Sequence, residues 1–247
     1  MDRSERFNKW FNVFILAGMA VVTLVVLVLK LQDAGSGRAL LVVAAVGSLA
    51  GVLANVFSAN GRILTFLFGL VDVTIYGVMC LMDAKYGNAA LHLLYFLPMQ
   101  AVGFLQWRKR GAGGGEKVRA RRLDGKKWLL VLAVFFVGLV AAYFILCALD
   151  KTEAAGVVRT LVLMDALSMM CNILGQWLLS TAYMEQWILW IGVNIASVVM
   201  WTLTLKASPD SSFALVYVVK YSFYLLNSLN GLRVWIGLSR PDAAREA

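Results

Sequence analysis

Trp187, Trp190 and Asn194 are the side chains whose types and spacing most suggest chemistry. They lie in an apolar run without charge, from Gln186 to Leu205. At about 100° per residue, the three fall within about 60° of one another on one helix face. Two indoles and one amide therefore point the same way. An amide in hydrocarbon is costly unless something bonds to it. Two readings are open. One is an interfacial Trp belt at a helix end, with Asn194 bonding a neighbouring helix. The other is a ligand-binding face. The belt suits Trp187 well but suits Asn194, two turns further in, less well.

The elements that position these residues follow from composition. Of 247 residues, 61% are hydrophobic and 15% charged. A soluble domain carries roughly 45–50% apolar and about 25% charged residues, so the chain reads as an all-α polytopic membrane protein. The first apolar run is too long and too lightly flanked for a cleaved signal peptide. The net charge of +9 is not a nucleic-acid signal, because nine of the 23 basic residues fall between Arg108 and Lys127. Cys80, Cys147 and Cys171 lie inside apolar runs at no metal-ligand spacing and read as small core residues.

A span needs about 20 apolar residues. Eight segments qualify: Val13–Leu31, Ala39–Phe57, Arg62–Met82, Ala89–Gln106, Trp128–Leu149, Val157–Leu179, Gln186–Leu205 and Ser212–Ile236. The fourth carries Pro98 and is expected to kink. This gives an extra N-terminal helix (13–31), a first three-helix bundle (39–106), a basic loop (107–127), a linker helix (128–149) and a second bundle (157–236). Gly111 and Gly113 to Gly115 make the basic loop read as solvated. Basic residues favour the cytoplasmic side, which places this loop and both termini there. Contact with anionic lipid is the simplest further role of the loop.

The two triplets share a rhythm that suggests parallel repeats, with a pathway between the halves. Sliding one over the other sets Gly51 on Gly175, Asp72 on Asn194, Gly103 on Gly231 and Trp107 on Trp235. Polar residues also line up along helix faces. One stripe is Asp165, Ser168, Asn172 and Gln176. A second is Lys220, Tyr224, Asn227 and Gly231, and a third is Thr65, Gly69, Asp72 and Tyr76, continued by Asp83. Gln100 follows Pro98 by two residues. Such groups should face the protein interior or a wet cavity. Asp72 and Lys220 read equally as an ion pair or as cavity groups. Asp165 suits a bond to a partner helix, and the lone His92 suits a structural role. Ser48, Gly51 and Asn55 read as a close-packing face. The sequence has no His-Glu-x-x-His, Gly-x-Ser-x-Gly or Walker signature, so an enzyme is not expected. A proton relay is also missing.

The Trp187-x-x-Trp190-x-x-x-Asn194 motif resembles the PnuC family of bacterial vitamin B3 transporters. Glu185-Gln-Trp187, Gly175-Gln-Trp177 and Asn227-x-x-Asn-Gly231-x-x-x-Trp235 are similar to it as well. The resemblance covers Ala39 to Ile236. It implies a fold like the SWEET sugar transporters, with nicotinamide riboside as substrate and facilitated diffusion without ion coupling or cofactor. It further implies a homotrimer in the bacterial inner membrane, and a cytoplasmic kinase that traps the riboside for NAD synthesis. Trp187, Trp190, Asn194, Gln100, Asn227, Asp72, Tyr76, Lys220 and Tyr224 would then form the substrate site. Indole faces attract a flat cation such as pyridinium, with a gain of about 0.5–2 kcal/mol. The amides can give and accept hydrogen bonds, and Asp72 would offset the ligand's charge. Two other readings are a facilitator of a sugar or other small metabolite with the same fold, and a non-transporting membrane scaffold.

Overall fold

Pro98 shapes the first departure from plain α-helix. The computed structural model describes residues 3–33, 38–82, 84, 86–149, 157–207 and 212–240. Asp83, Lys151 and Arg245 lie outside them. The spans are α1 (Arg3–Asp33), α2 (Arg38–Ala59) and α3 (Leu64–Met82), then α4 (Tyr86–Ala90) and α5 (Leu97–Lys109), joined by a π-helical stretch, Leu91–Phe96. Next come α6 (Gly125–Leu149), α7 (Val157–Ser180), α8 (Gln186–Ala207) and α9 (Ser212–Leu238). Pro98 has no N–H to give the Leu94 carbonyl, so the helix widens just before it, and the Leu97 N–H reaches back to the His92 carbonyl. The expected kink is thus a widened turn. Seven helices among the described residues are long and apolar enough to cross a membrane. The remaining long helix, α9, has 27 residues and is more polar, with Lys220, Asn227, Ser228, Asn230 and Arg233. Among the described residues there are no strands, only isolated bridges.

The chain forms two compact units, dividing between Arg119 and Ala120. In the first, α3 packs on α2 and on the α4–α5 helix, while α1 packs on α2. Asparagines fix that last contact: Asn8 and Asn12 both donate to Asn60 Oδ1, and Asn60 Nδ2 donates to the Val56 carbonyl at 2.7 Å. In the second unit α8 packs on α7 and α9, and α6 packs on α7. Leu123, Val131, Met170, Leu174 and Leu178 make the core of the α6–α7 contact. The helix between the triplets therefore serves α7 as α1 serves α2.

The repeat is visible in packing. In the first unit the Phe66 ring meets Trp107 edge-on at 4.9 Å, and a Cβ at Gly103 would come within 2.1 Å of Phe66. In the second the Trp187 ring meets Trp235 at 6.2 Å, and a Cβ at Gly231 would come within 2.6 Å of Trp187. Gly103 and Trp107 thus match Gly231 and Trp235, as the sequence pairing has them. The middle helices differ by one residue from that pairing. Phe66 matches Trp187, so Val73 rather than Asp72 stands opposite Asn194. The turns agree. Gly61 and Ala182 both adopt positive φ, 66° and 61°, and close the same Schellman motif, Arg62 N to Phe57 O and Tyr183 N to Leu178 O. In the same register Gly51 falls opposite Asn172, three residues from Gly175. Matching polar identities misled the alignment where packing contacts set it.

The basic loop is not simply solvated. Its glycines end α5 in a third Schellman motif, Ala112 N to Trp107 O, with Gly111 at φ 86°. Ala112, Val118 and Leu123 are buried. Within the first unit the Val118 N–H donates to the Gly61 carbonyl at 2.9 Å. Within the second, the Arg121 N–H donates to the Ala182 carbonyl at 2.7 Å, and its carbonyl accepts from Met184 N at 2.9 Å. The Arg121 guanidinium covers the Tyr183 ring at 4.4 Å, and Glu185 Oε1 accepts the Leu123 N–H at 3.0 Å. Asp124 then caps α6 by accepting from Lys127 N at 2.9 Å. The Lys127 ammonium beside it holds the Asp124 carboxyl below its ordinary range.

Removing the buried Glu185 carboxylate leaves the Leu123 N–H without its acceptor. Glu185→Ala should therefore cost about 1–3 kcal/mol and speed proteolysis between Val118 and Lys127. Limited digestion of the detergent-solubilised protein checks this, and digestion at the wild-type rate would refute the clamp.

Candidate functional site

The residues expected at the site fall into a group in each unit. In the second unit Trp187 is 1% exposed. It is wedged against Gly231 and Trp235, and its indole Nε1 meets no acceptor among the described residues. It belongs to the helix core and not to an interfacial belt. Trp190, one turn on, is half-buried. Its six-membered ring lies against Gly175, where a Cβ would sit 3.2 Å away. A glycine on α7 thus lets the indole lie flat on the neighbouring helix and fixes its plane.

Asn194 is buried and tied across to α9. Its Nδ2 donates to Ser228 Oγ at 2.9 Å, and that hydroxyl donates to the Tyr224 carbonyl at 2.9 Å. The amide is therefore oriented, which a hydrogen-bonding site requires. Asn227, next to Ser228, is fully buried. Towards the Ala207 end of α8, Lys220 Nζ lies 5.8 Å above the Tyr217 ring and 5.7 Å above the Tyr224 ring. Trp201 stacks on Tyr217 at 4.3 Å, the planes inclined by 16°. Sequence reasoning missed Trp201, Tyr217 and Ser228. Trp201 carried a signal, since it lies 14 residues beyond Trp187, almost four full turns along the same face. The α7 stripe bonds along itself, Asn172 to the Ser168 carbonyl at 2.8 Å and Gln176 to Ser180 at 3.2 Å. Asp165 is exposed.

In the first unit Asp72 is half-buried, and its carboxylate lies against α2, where a Cβ at Gly51 would come within 2.8 Å. Gln100 is buried, its Nε2 bonded to the Phe96 carbonyl at 3.2 Å and its Oε1 directly over Gly69. Asp72 and Gln100 are thus both seated on glycines. Tyr76 is 47% exposed and lies beside the His92 ring at 4.5 Å. The lone histidine takes part in an aromatic group with Phe96. Gly51 packs closely as expected, and Gly103 does so too; of the free cysteines expected in the core, Cys80 and Cys171 are buried, while Cys147 is only partly so.

By the packing register Gly69 stands where the second unit has Trp190, and Gln100 stands where it has Ser228. The bulk has changed helices. In one repeat the third helix fills the space over a glycine, and in the other the middle helix does. The two faces consequently differ in shape and in hydrogen-bonding groups.

Comparison with known proteins follows the same lines. A family described as nicotinamide mononucleotide transporter matches residues 41–237. A protein of Neisseria mucosa named nicotinamide riboside transporter PnuC is 34% identical over 82% of this chain and 74% of its own length. One of the same name from Haemophilus influenzae is 32% identical over 79% of each chain, and one from Escherichia coli is 26% identical over 81% and 87%. Among solved structures, one described as the crystal structure of the vitamin B3 transporter PnuC is 30% identical, with a TM-score of 0.66. That match covers 94% of this chain and 91% of the other.

The burial difference separates the two tryptophans. Trp187→Ala empties a core position and should lower stability by about 3–5 kcal/mol. Gly231→Ala forces a methyl into the Trp187 ring and should cost about 1–3 kcal/mol. Trp190→Ala, on a half-buried ring, should lower melting temperature less than either. Thermal melts of the three purified variants check this order.

Proposed function

Because the chain belongs to the nicotinamide mononucleotide transporter family, we propose that it carries nicotinamide riboside across the bacterial inner membrane by facilitated diffusion. The observation that carries this reading is the arrangement on α8. A half-buried indole lies flat on Gly175, with an oriented amide one turn away. A flat cationic ring stacks on such an indole, and a carboxamide or ribose hydroxyl pairs with such an amide. The relatives named as riboside transporters support this choice over the mononucleotide in the family's description. Trp190 and Asn194 are the principal contacts. Gln100, Asn227, Asp72, Tyr76, Tyr224 and Lys220 supply further polar and aromatic groups, and Trp187 holds Trp190's helix in place.

Release on the far side is then followed by phosphorylation by a cytoplasmic kinase, which keeps the gradient inward. The protein works as a homo-oligomer, a trimer in this reading, and has no catalytic role of its own.

The test is uptake of labelled riboside into proteoliposomes with no proton or sodium gradient. Flux should run either way and stop at equal concentrations. Accumulation above the outer level without kinase would overturn the mechanism, and flux of mononucleotide or sugar alone would overturn the substrate. Trp190→Ala should weaken riboside binding by about 1–3 kcal/mol for a lost stack. Asn194→Leu should cost about the same for an unpaired buried polar group.

The basic loop and both termini are cytoplasmic in this reading. A cysteine at the exposed Gly114 should escape a membrane-impermeant thiol reagent in intact cells and react after permeabilisation. Labelling in intact cells would invert the topology.

A further inference from the structure

Four of the nine basic residues between Arg108 and Lys127 line one pocket. Arg108, Lys109, Arg110 and Arg119, with Gly111, line an open surface depression of about 440 Å³ at the end of α5. Among the described residues no carboxylate lines it. Elsewhere in the segment Asp124 pairs with Lys127, Arg121 covers the Tyr183 ring, Arg122 donates to Ser239 Oγ, and Glu116 is exposed. The pocket's backbone is fixed from two sides. Arg119 N donates to the Arg110 carbonyl at 3.1 Å, and Arg110 Nε donates to the Arg119 carbonyl at 2.6 Å. Gly111, at φ 86°, turns the chain there, and a Cβ on it would come 3.5 Å from Arg119 Nε.

Topology requires only that basic residues lie somewhere in the loop. It does not require four of them around one space on a hydrogen-bonded frame. Guanidinium forks match phosphate oxygens in pairs, whereas an ammonium acts as a point charge. The pocket is too small for a folded partner, and three arginines and one lysine favour a compact, multiply charged group. We propose that this pocket is a phosphate-binding site, taking the phosphate of a soluble phosphorylated metabolite or of an anionic lipid headgroup. α5 ends the spanning helix at Lys109, which places the pocket within reach of either source.

The experiment uses the full chain in nanodiscs of phosphatidylcholine, titrated with pyrophosphate, and reads melting temperature and binding heat. Saturable binding is expected, weakening as salt rises. An Arg108→Gln/Arg119→Gln double variant should lose roughly tenfold or more in affinity. A Lys30→Gln/Lys206→Gln variant, which removes two charges elsewhere, should bind normally. Repeating the titration in nanodiscs containing phosphatidylglycerol identifies the source. Competition assigns the site to lipid headgroups, and undiminished binding assigns it to soluble phosphates. Absence of saturable pyrophosphate binding in phosphatidylcholine, together with equal melting temperatures in the two lipids, would overturn the proposal. So would equal loss in both double variants, which marks a general surface-charge effect. Riboside flux is not part of the readout, so failure here leaves the transport reading untouched.

Discussion

Glycine facing an aromatic ring is the contact on which each half of this molecule depends. In a membrane, helices gain little from burying apolar surface, because lipid is equally apolar. They associate through close van der Waals packing and interhelical hydrogen bonds. Gly103 against Phe66 and Gly231 against Trp187 bring the middle and last helices of each triplet within reach of one another. Trp107 and Trp235 close those contacts from the side. Glycine also admits bulky aliphatic side chains, at Gly47 against Ile75 and at Gly138 against Met170. Small residues are therefore the part of the sequence that sets helix spacing, and large rings fill what they open.

That rule also explains how two copies of one plan acquire different faces. Where a glycine stands on the middle helix, at Gly69, the glutamine of the third helix leans over it. Where the middle helix has Trp190, its neighbour on α7 has become Gly175, and the third helix has shrunk to Ser228. The bulky group moves from the third helix to the middle one, and the chemistry changes with it. One repeat presents a carboxylate and an amide, and the other an indole and an amide.

Much of this was legible in the sequence. Apolar runs of span length place the helices, and the Trp107 and Trp235 pairing marks the repeat. The Trp187–Trp190–Asn194 spacing places three groups on one face. Three features were not legible, each for a physical reason. The one-residue shift between the middle helices is set by ring-on-glycine contact, which identity matching does not weigh. The burial of Trp187 depends on Gly231, 44 residues away. The order of the basic loop comes from backbone bonds to Gly61 and Ala182, and backbone atoms leave no trace in residue type. Glycine-rich, charge-rich composition reads as solvated even where the chain is anchored.

The same loop tells an engineer where the chain can be opened. Gly113, Gly114 and Gly115 all adopt positive φ, and a Cβ at any of them would meet nothing within 4 Å. Just beyond them, Val118 and Arg121 are tied by backbone bonds to the two turns, with only Arg119 and Ala120 between. A fluorescent reporter or affinity tag spliced at Gly114 would hang from an open turn and leave those attachments whole. The same cargo between Arg119 and Ala120 would instead fall between two backbone-bonded residues, Val118 and Arg121. The transporter thus carries a natural splice point a few residues before a stretch whose backbone is already committed.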